Sequence, residues 1–238
     1  MNESGNTPIE ILRAAWEPLN ESHRSGRRYS SGIHLRMYRC LSWAQRAEKL
    51  DGHDDADLAF ILRTVAFNSI WGKQWTPDQK RQGEHATWST LLVELADYDH
   101  THADRLLPLI TTHTDLFQSV FDNPFFDREY WVEPGSEQLS KSQEIAIQVA
   151  PALAQGHIHS ILWQFTARML LLRGQMIHGN SSLNGSANRV TVRIAAQAMD
   201  IILQWALSVI IFDEGHAHDF GWDPVPYAPD EQTRSIGM

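Results

Sequence analysis

The sequence predicts an all-α protein, a mostly antiparallel helical bundle of about six to seven helices. Three observations carry that expectation. Apolar residues recur at helical spacing through several long windows, most clearly 157–177 and 188–212. No stretch of any length alternates apolar and polar residues as a half-buried strand does, and no segment repeats at a fixed period. The helical windows are separated by Gly, Asn, Asp and Pro at 51–52, 72–83 and 179–187. With 238 residues, 42% of them hydrophobic and nine of them Trp, the chain is long and apolar enough to bury a substantial core.

Taken in order, residues 1–30 read as an N-terminal arm. Ile9, Ile11, Leu12 and Trp16 are able to dock, but Pro8, Pro18, Gly26 and a Ser/Arg run suggest loose structure, and Arg24, Arg27 and Arg28 form a small basic cluster. The helical domain is expected over 31–214. Its first helix, 32–50, places Leu35, Leu41, Trp43, Ala44 and Ala47 on an apolar stripe. A second starts near Asp54 or Asp55, both plausible caps, and runs to Trp71 with Leu58, Ile61, Leu62, Val65, Ala66 and Ile70 inward. Asn68 falls inside that apolar run and needs hydrogen-bond partners if buried; a structural contact is the favoured reading, an RNA contact the sharper one.

Helices are expected at 84–97 and 101–121, then an aromatic, proline-punctuated excursion over 122–141. Phe125, Phe126, Tyr130 and Trp131 are too apolar for that excursion to float free. A short helix near 142–153 precedes the long one at 157–177, whose inner face is Ile158, Ile161, Leu162, Phe165, Met169, Leu172 and Met176. The last helix, 188–212, carries Val192, Ala195, Ala196, Met199, Ile202, Leu203, Leu207 and Ile210. A proline-containing tail, 215–238, cannot continue it.

Composition narrows the function. The net charge of −9 counts against a general nucleic-acid coat, yet leaves room for one local phosphate site. A single cysteine, Cys40, excludes an internal disulfide and fits a reducing cytosol, and it sits in a helical stripe where packing is the better reading than nucleophilic chemistry. The N-terminus lacks a signal-peptide pattern and no charge-free run of 18 apolar residues suggests a membrane span, so a cytoplasmic protein without membrane partners is expected. Neither GxxxxGK[ST], GxGxxG nor GxSxG occurs. His157-x-His159 and His216-x-His218-Asp219 are weak as chelates, because helical residues two apart diverge, and no cofactor or metal is expected.

Arg173 and His178 remain. They lie five residues apart at the end of the most apolar segment, LLLRGQMIH, with Gly179 next. On an ideal helix five residues turn the chain by roughly 500°, leaving the side chains about 140° apart. Gly179 and Asn180 tolerate left-handed dihedrals, so His178 is expected in the last turn with the chain breaking away after it. By spacing alone, two cations at a helix C-terminus are more often a capping or dipole arrangement than a site.

RGQMIHGN resembles the Arg-x4–6-His motif of HEPN domains (higher eukaryotes and prokaryotes nucleotide-binding). The similarity extends through the helix SWAQRAEKL, the helix DADLAFILRTVAFNSIWG, the motif helix, the Gly/Ser/Asn loop, the helix opening at Asn188-Arg189 with Arg193 following, and the tail WDPVPYAP, roughly residues 35–230. The resemblance implies a compact helical bundle that dimerises through its motif helices. It further implies a metal-independent endoribonuclease with Arg173 and His178 catalytic, acting as a toxin or phage-defence effector, with an antitoxin or defence-system protein as partner. Where many members carry a polar residue after the arginine this chain has Gly174, and where members controlled by an AMP-transferring antitoxin carry tyrosine it has Asn180, so that control is not expected. Asn180, Asn184, Asn188, Arg189 and Arg193 lie near enough in sequence to contact RNA, although Asn188 reads first as a helix cap.

The chemistry fits those residue types. Cleavage by a 2′-OH needs a base, an acid and a positive charge at the phosphate. A two-fold homodimer brings two histidines and two arginines to one cleft. Free imidazole titrates near pH ~6.5, so both protonation states are accessible near neutrality. Two other readings stay open: a non-catalytic HEPN module binding nucleotide, RNA or protein, and a structural helical domain, which a monomer with Arg173 salt-bridged inside its own chain would mark.

Overall fold

A computed structural model describes residues 6–25, 32–50, 53–71, 83–132, 135, 137, 146–179, 183, 185–213, 215–217 and 220. Among them the protein is all-α, without a strand. The helices are α1 (Pro8–Ser25), α2 (Ile33–Glu48), α3 (Ala56–Trp71), α4 (Glu84–His102), α5 (Leu106–Thr112), α6 (Thr114–Asp122), α7 (Arg128–Val132), α8 (Val149–Ala154), α9 (Ile158–Ile177) and α10 (Arg189–Phe212). The count exceeds the six or seven expected because several are short, and because the window 101–121 is broken. Asp104 takes a positive φ after α4, the Asp99 carboxylate accepts from the N–H groups of Arg105 (2.9 Å) and Leu106 (2.8 Å), and α5 and α6 are divided at His113.

The segment expected as a loose arm is instead a helix. Thr7 and Glu10 form a reciprocal capping box: the Glu10 N–H donates to Thr7 Oγ1 (3.4 Å) and the Thr7 N–H to Glu10 Oε2 (3.1 Å), with Pro8 at the first helical position, where its missing N–H costs nothing. Ile9, Leu12 and Trp16 are buried against α2 and α10, while Ile11 faces out. Glu48, at the far end of α2, accepts from the Ile9 N–H at 3.1 Å and from the Thr7 hydroxyl, so α1 and α2 run antiparallel. The side chains of Arg24, Arg27 and Arg28 lie outside the described residues.

Helix α3 is the central element, packed chiefly on α2 and α10. Its apolar residues lie all round, so it buries two sides. Ala56, Ala59, Phe60, Ala66, Phe67 and Ile70 are inside, whereas Leu58, expected inward, is exposed. Trp43, expected in the core of α2, is also exposed; the buried line there is Ile33, Met37, Cys40, Leu41, Ala44 and Ala47. Arg36 is fully buried and donates to the Ile70 carbonyl at 3.2 Å, one of the unpaired carbonyls at the end of α3. α2 and α3 are therefore antiparallel. α3 and α10 are parallel, since Asp57 meets Arg189 and Arg63 meets Asp200.

Helix α10 buries every residue expected of it. It is long and apolar enough to cross a membrane, but most of that apolar surface is buried within the bundle, as in a core helix. The excursion 122–141 is ordered where described: Phe126 is buried, and Phe125, Tyr130 and Trp131 pack ring against ring at 5.4–5.8 Å between centroids. Of the tail, Phe220 is buried beside Tyr98, with centroids 5.5 Å apart, and residues 221–238 lie outside the described set. α9 pairs with α4 and runs against it, because Glu84 meets Arg173 and Asp97 meets His159. This pairing positions the Arg/His motif.

Candidate active site

Helix α9 has only two formal charges, Arg168 and Arg173. Arg168 faces inward: its guanidinium sits 4.9 Å from the centre of the Phe121 ring and its Nη1 donates to Gln164 Oε1 at 3.0 Å. Loss of solvent on burial pushes its pKa down, partly offset by the Asp127 carboxylate. The outward residues of α9, Ser160, Trp163, Ala167, Ile177 and His178, include no Asp, Glu, Lys or Arg; His159, exposed at the start of the helix, is paired with Asp97 of α4, and Trp163 is 48% and Ile177 54% exposed. That is unusual for the open face of a helix in an acidic protein, where charged residues normally sit.

His178 takes the C-cap position of α9, and its N–H closes the helix onto the Gly174 carbonyl at 3.0 Å. Gly179 follows with φ 75, the left-handed turn expected after the motif. The imidazole is exposed, and no side-chain partner engages it among the described residues. Arg173, one turn back, is 24% exposed. Its Nη1 donates to Glu84 Oε1 at the start of α4, and its Nε and Nη2 donate to no described residue. A Cβ built on Gly174 meets nothing within 4 Å, so the glycine leaves open space beside the arginine.

The residues expected as RNA contacts divide. Asn180 and Asn184 lie outside the described residues. Arg189 donates to the Asp57 carboxylate and to the carbonyls of His53 (2.7 Å) and Asp54, and Arg193 donates to the His53 carbonyl at 3.1 Å. Both arginines therefore hold the turn that opens α3. Asn188 stands at the N-cap of α10, as expected, but caps nothing with its side chain; its Oδ1 is buried without a partner. Asn68 is half-buried, and its side-chain oxygen accepts from the indole N–H groups of Trp71 and Trp88.

Glu84 was not legible as part of the site. Its signal is an acidic residue at the first position of a helix after Gly83, a placement the helix dipole alone explains. Comparison with protein-family models, curated proteins and solved structures gave no match. Among the described residues no three His, Cys, Asp or Glu side chains converge as a metal-ligand set. His159 pairs with Asp97 at 2.7 Å, and the side chains of His216 and His218 lie outside the described residues.

Chemically, the end of α9 offers one uncommitted imidazole, one guanidinium anchored at a single nitrogen, and an uncharged helix face beside them. That set is able to move a proton and to bind an anionic oxygen pair through the fixed fork of an arginine.

Proposed function

We propose that the protein is a homodimeric, cytoplasmic, metal-independent endoribonuclease of the HEPN type. The observation that carries this reading is the pairing of an exposed, uncommitted His178 with an Arg173 whose Nε/Nη2 edge is free, both at one end of a helix whose outer face is nearly charge-free. Two copies meeting on that face would bury Trp163 and Ile177 and set two motifs side by side. The toxin or phage-defence role, and an antitoxin or defence partner, follow from the family resemblance alone.

In this reading one His178 accepts the proton of the attacking 2′-OH. The 2′-oxygen bonds to phosphorus, and the bond to the 5′-oxygen breaks. The partner's His178 gives its proton to that leaving oxygen. The products are a 2′,3′-cyclic phosphate and a 5′-hydroxyl. Arg173 holds the non-bridging oxygens, whose charge grows as phosphorus becomes five-coordinate.

A specific observation favours a second reading. The Arg173–Glu84 pair lies within one chain, the arrangement a purely structural arginine would adopt. Incubating the wild type, Arg173→Ala and His178→Ala with RNA in a chelating buffer separates the two. The nuclease reading predicts cleavage by wild type alone; intact RNA with all three proteins, or cleavage that survives loss of His178, contradicts it.

A further inference from the structure

The nuclease reading leaves one side chain at the motif without a role, and it comes from another helix. We infer that Glu84 is a positioning residue: it fixes the Arg173 guanidinium by Nη1 and so presents the Nε/Nη2 edge toward the phosphate. This rests on the proposed nuclease reading for its catalytic half, though not for its geometric half.

The argument is one of donor accounting. Arginine has five N–H donors in a rigid planar fork, and a phosphate is gripped best along one edge by two parallel bonds. A free arginine side chain on a helix end samples many rotamers, and few of them grip along one edge the oxygens whose charge grows in the transition state. Glu84 is set in the first turn of α4, where the helix N-terminus favours its charge, and α4 is packed along α9. Its carboxylate takes Nη1 and leaves Nε and Nη2 without a described partner. The residue after the arginine is Gly174, which has no side chain to do the same work, and the space beside it is open. Orientation of the arginine is thereby assigned to the neighbouring helix.

The sign of the effect is specific. A carboxylate near the phosphate opposes binding by like charge, so its benefit must show in turnover rather than in affinity. The test compares wild type, Glu84→Gln and Glu84→Ala on a mixed-sequence single-stranded RNA in chelating buffer, alongside the NMR signal of the Arg173 Nε–H. Glu84→Gln keeps the acceptor oxygen and should keep kcat within about threefold, with KM equal or lower. Glu84→Ala should lose about ten- to a hundredfold in kcat with KM no higher, the scale of a misplaced catalytic group. Its Nε–H signal should collapse toward that of a freely rotating guanidinium. An Ala variant with wild-type kcat, a Gln variant as slow as Ala, or an unchanged Nε–H signal in Glu84→Ala overturns the inference. Should wild type leave RNA intact, the nuclease reading fails, and the NMR arm alone decides whether Glu84 orients Arg173.

Discussion

The side-chain oxygen of Asn68 accepts from the indole of Trp88 at 2.9 Å and from the indole of Trp71 at 3.0 Å, joining α3 to the start of α4. Trp88 is fully buried, so its N–H has no access to water if the oxygen is removed. Asn68→Ala should cost about 1–3 kcal/mol in urea unfolding, the penalty of an orphaned buried donor. It should also change the tryptophan emission and leave RNA cleavage in place. Stability within experimental error of wild type, or loss of cleavage in a folded variant, would restore Asn68 as a candidate RNA contact.

Arg189 and Asp57 form the second such tie, at 14% and 6% side-chain exposure. Breaking a buried pair by removing one partner strands the other charge. Arg189→Met should therefore lower stability by about 3–5 kcal/mol, and Arg189→Met with Asp57→Leu should recover most of the loss. Because Arg189 is committed to the start of α3, its removal in a protein kept folded at low temperature should not change the salt dependence of RNA binding. A slope reduced by about one would mark a phosphate contact instead.

Much of the fold, but less of its geometry, was written in the residue pattern. The inner face of α10 follows directly from spacing, and so does that of α9 at Ile161, Leu162, Phe165, Met169 and Leu172, while Ile158 and Met176 at its two ends are half-buried. α3 is apolar on all sides, so periodicity has no single face to find and places Leu58 inward, where the fold exposes it; Trp43, on α2, lies beside the buried line of Cys40, Leu41, Ala44 and Ala47 rather than in it. In the arm, Pro8, Pro18, Gly26 and the Ser/Arg run point to loose structure, whereas the Thr7-Pro8-Ile9-Glu10 capping box, a local signal also present in the sequence, starts a helix there. At the site, the end of α9 at His178 and the left-handed Gly179 were legible from local chemistry. Glu84 was not, because its contact with Arg173 spans 89 residues and depends on how α4 lies along α9. The same is true of Arg189 and Arg193, whose partners sit at the other end of the chain segment.

Cys40 gives a pH signature. It is fully buried, and burial pushes its thiol well above the ordinary range because the thiolate would lose its solvation. The stabilising difference is intact below the unfolded thiol's pKa of about 8.5. It declines as pH rises toward the folded value, because the unfolded chain then sheds a proton that the folded one keeps. Stability should fall by up to about 1.4 kcal/mol per pH unit in that window, and Cys40→Ala should remove this part of the slope. Ready labelling of the native thiol at neutral pH would contradict the burial.

The uncharged face of α9 predicts self-association. Ala167 lies on the exposed line of α9, one turn after Trp163. Ala167→Glu would set a carboxylate against its own symmetry mate across a two-fold contact. Sedimentation should show a wild-type dimer and a folded monomer for the variant, with cleavage lost together with the dimer. A variant that stays dimeric places the interface elsewhere.

The attacking group is the heart of the proposal, and one substrate isolates it. In a short RNA that wild type cleaves at a mapped position in chelating buffer, a single 2′-deoxy substitution at the nucleotide 5′ to the scissile phosphate removes the nucleophile and nothing else. The account predicts that cleavage at that phosphate stops while neighbouring sites continue, and that the all-ribose control is cut there to leave a 2′,3′-cyclic phosphate end. Undiminished cleavage at the deoxy position, or no cleavage of any RNA by a dimeric wild-type protein, would contradict it.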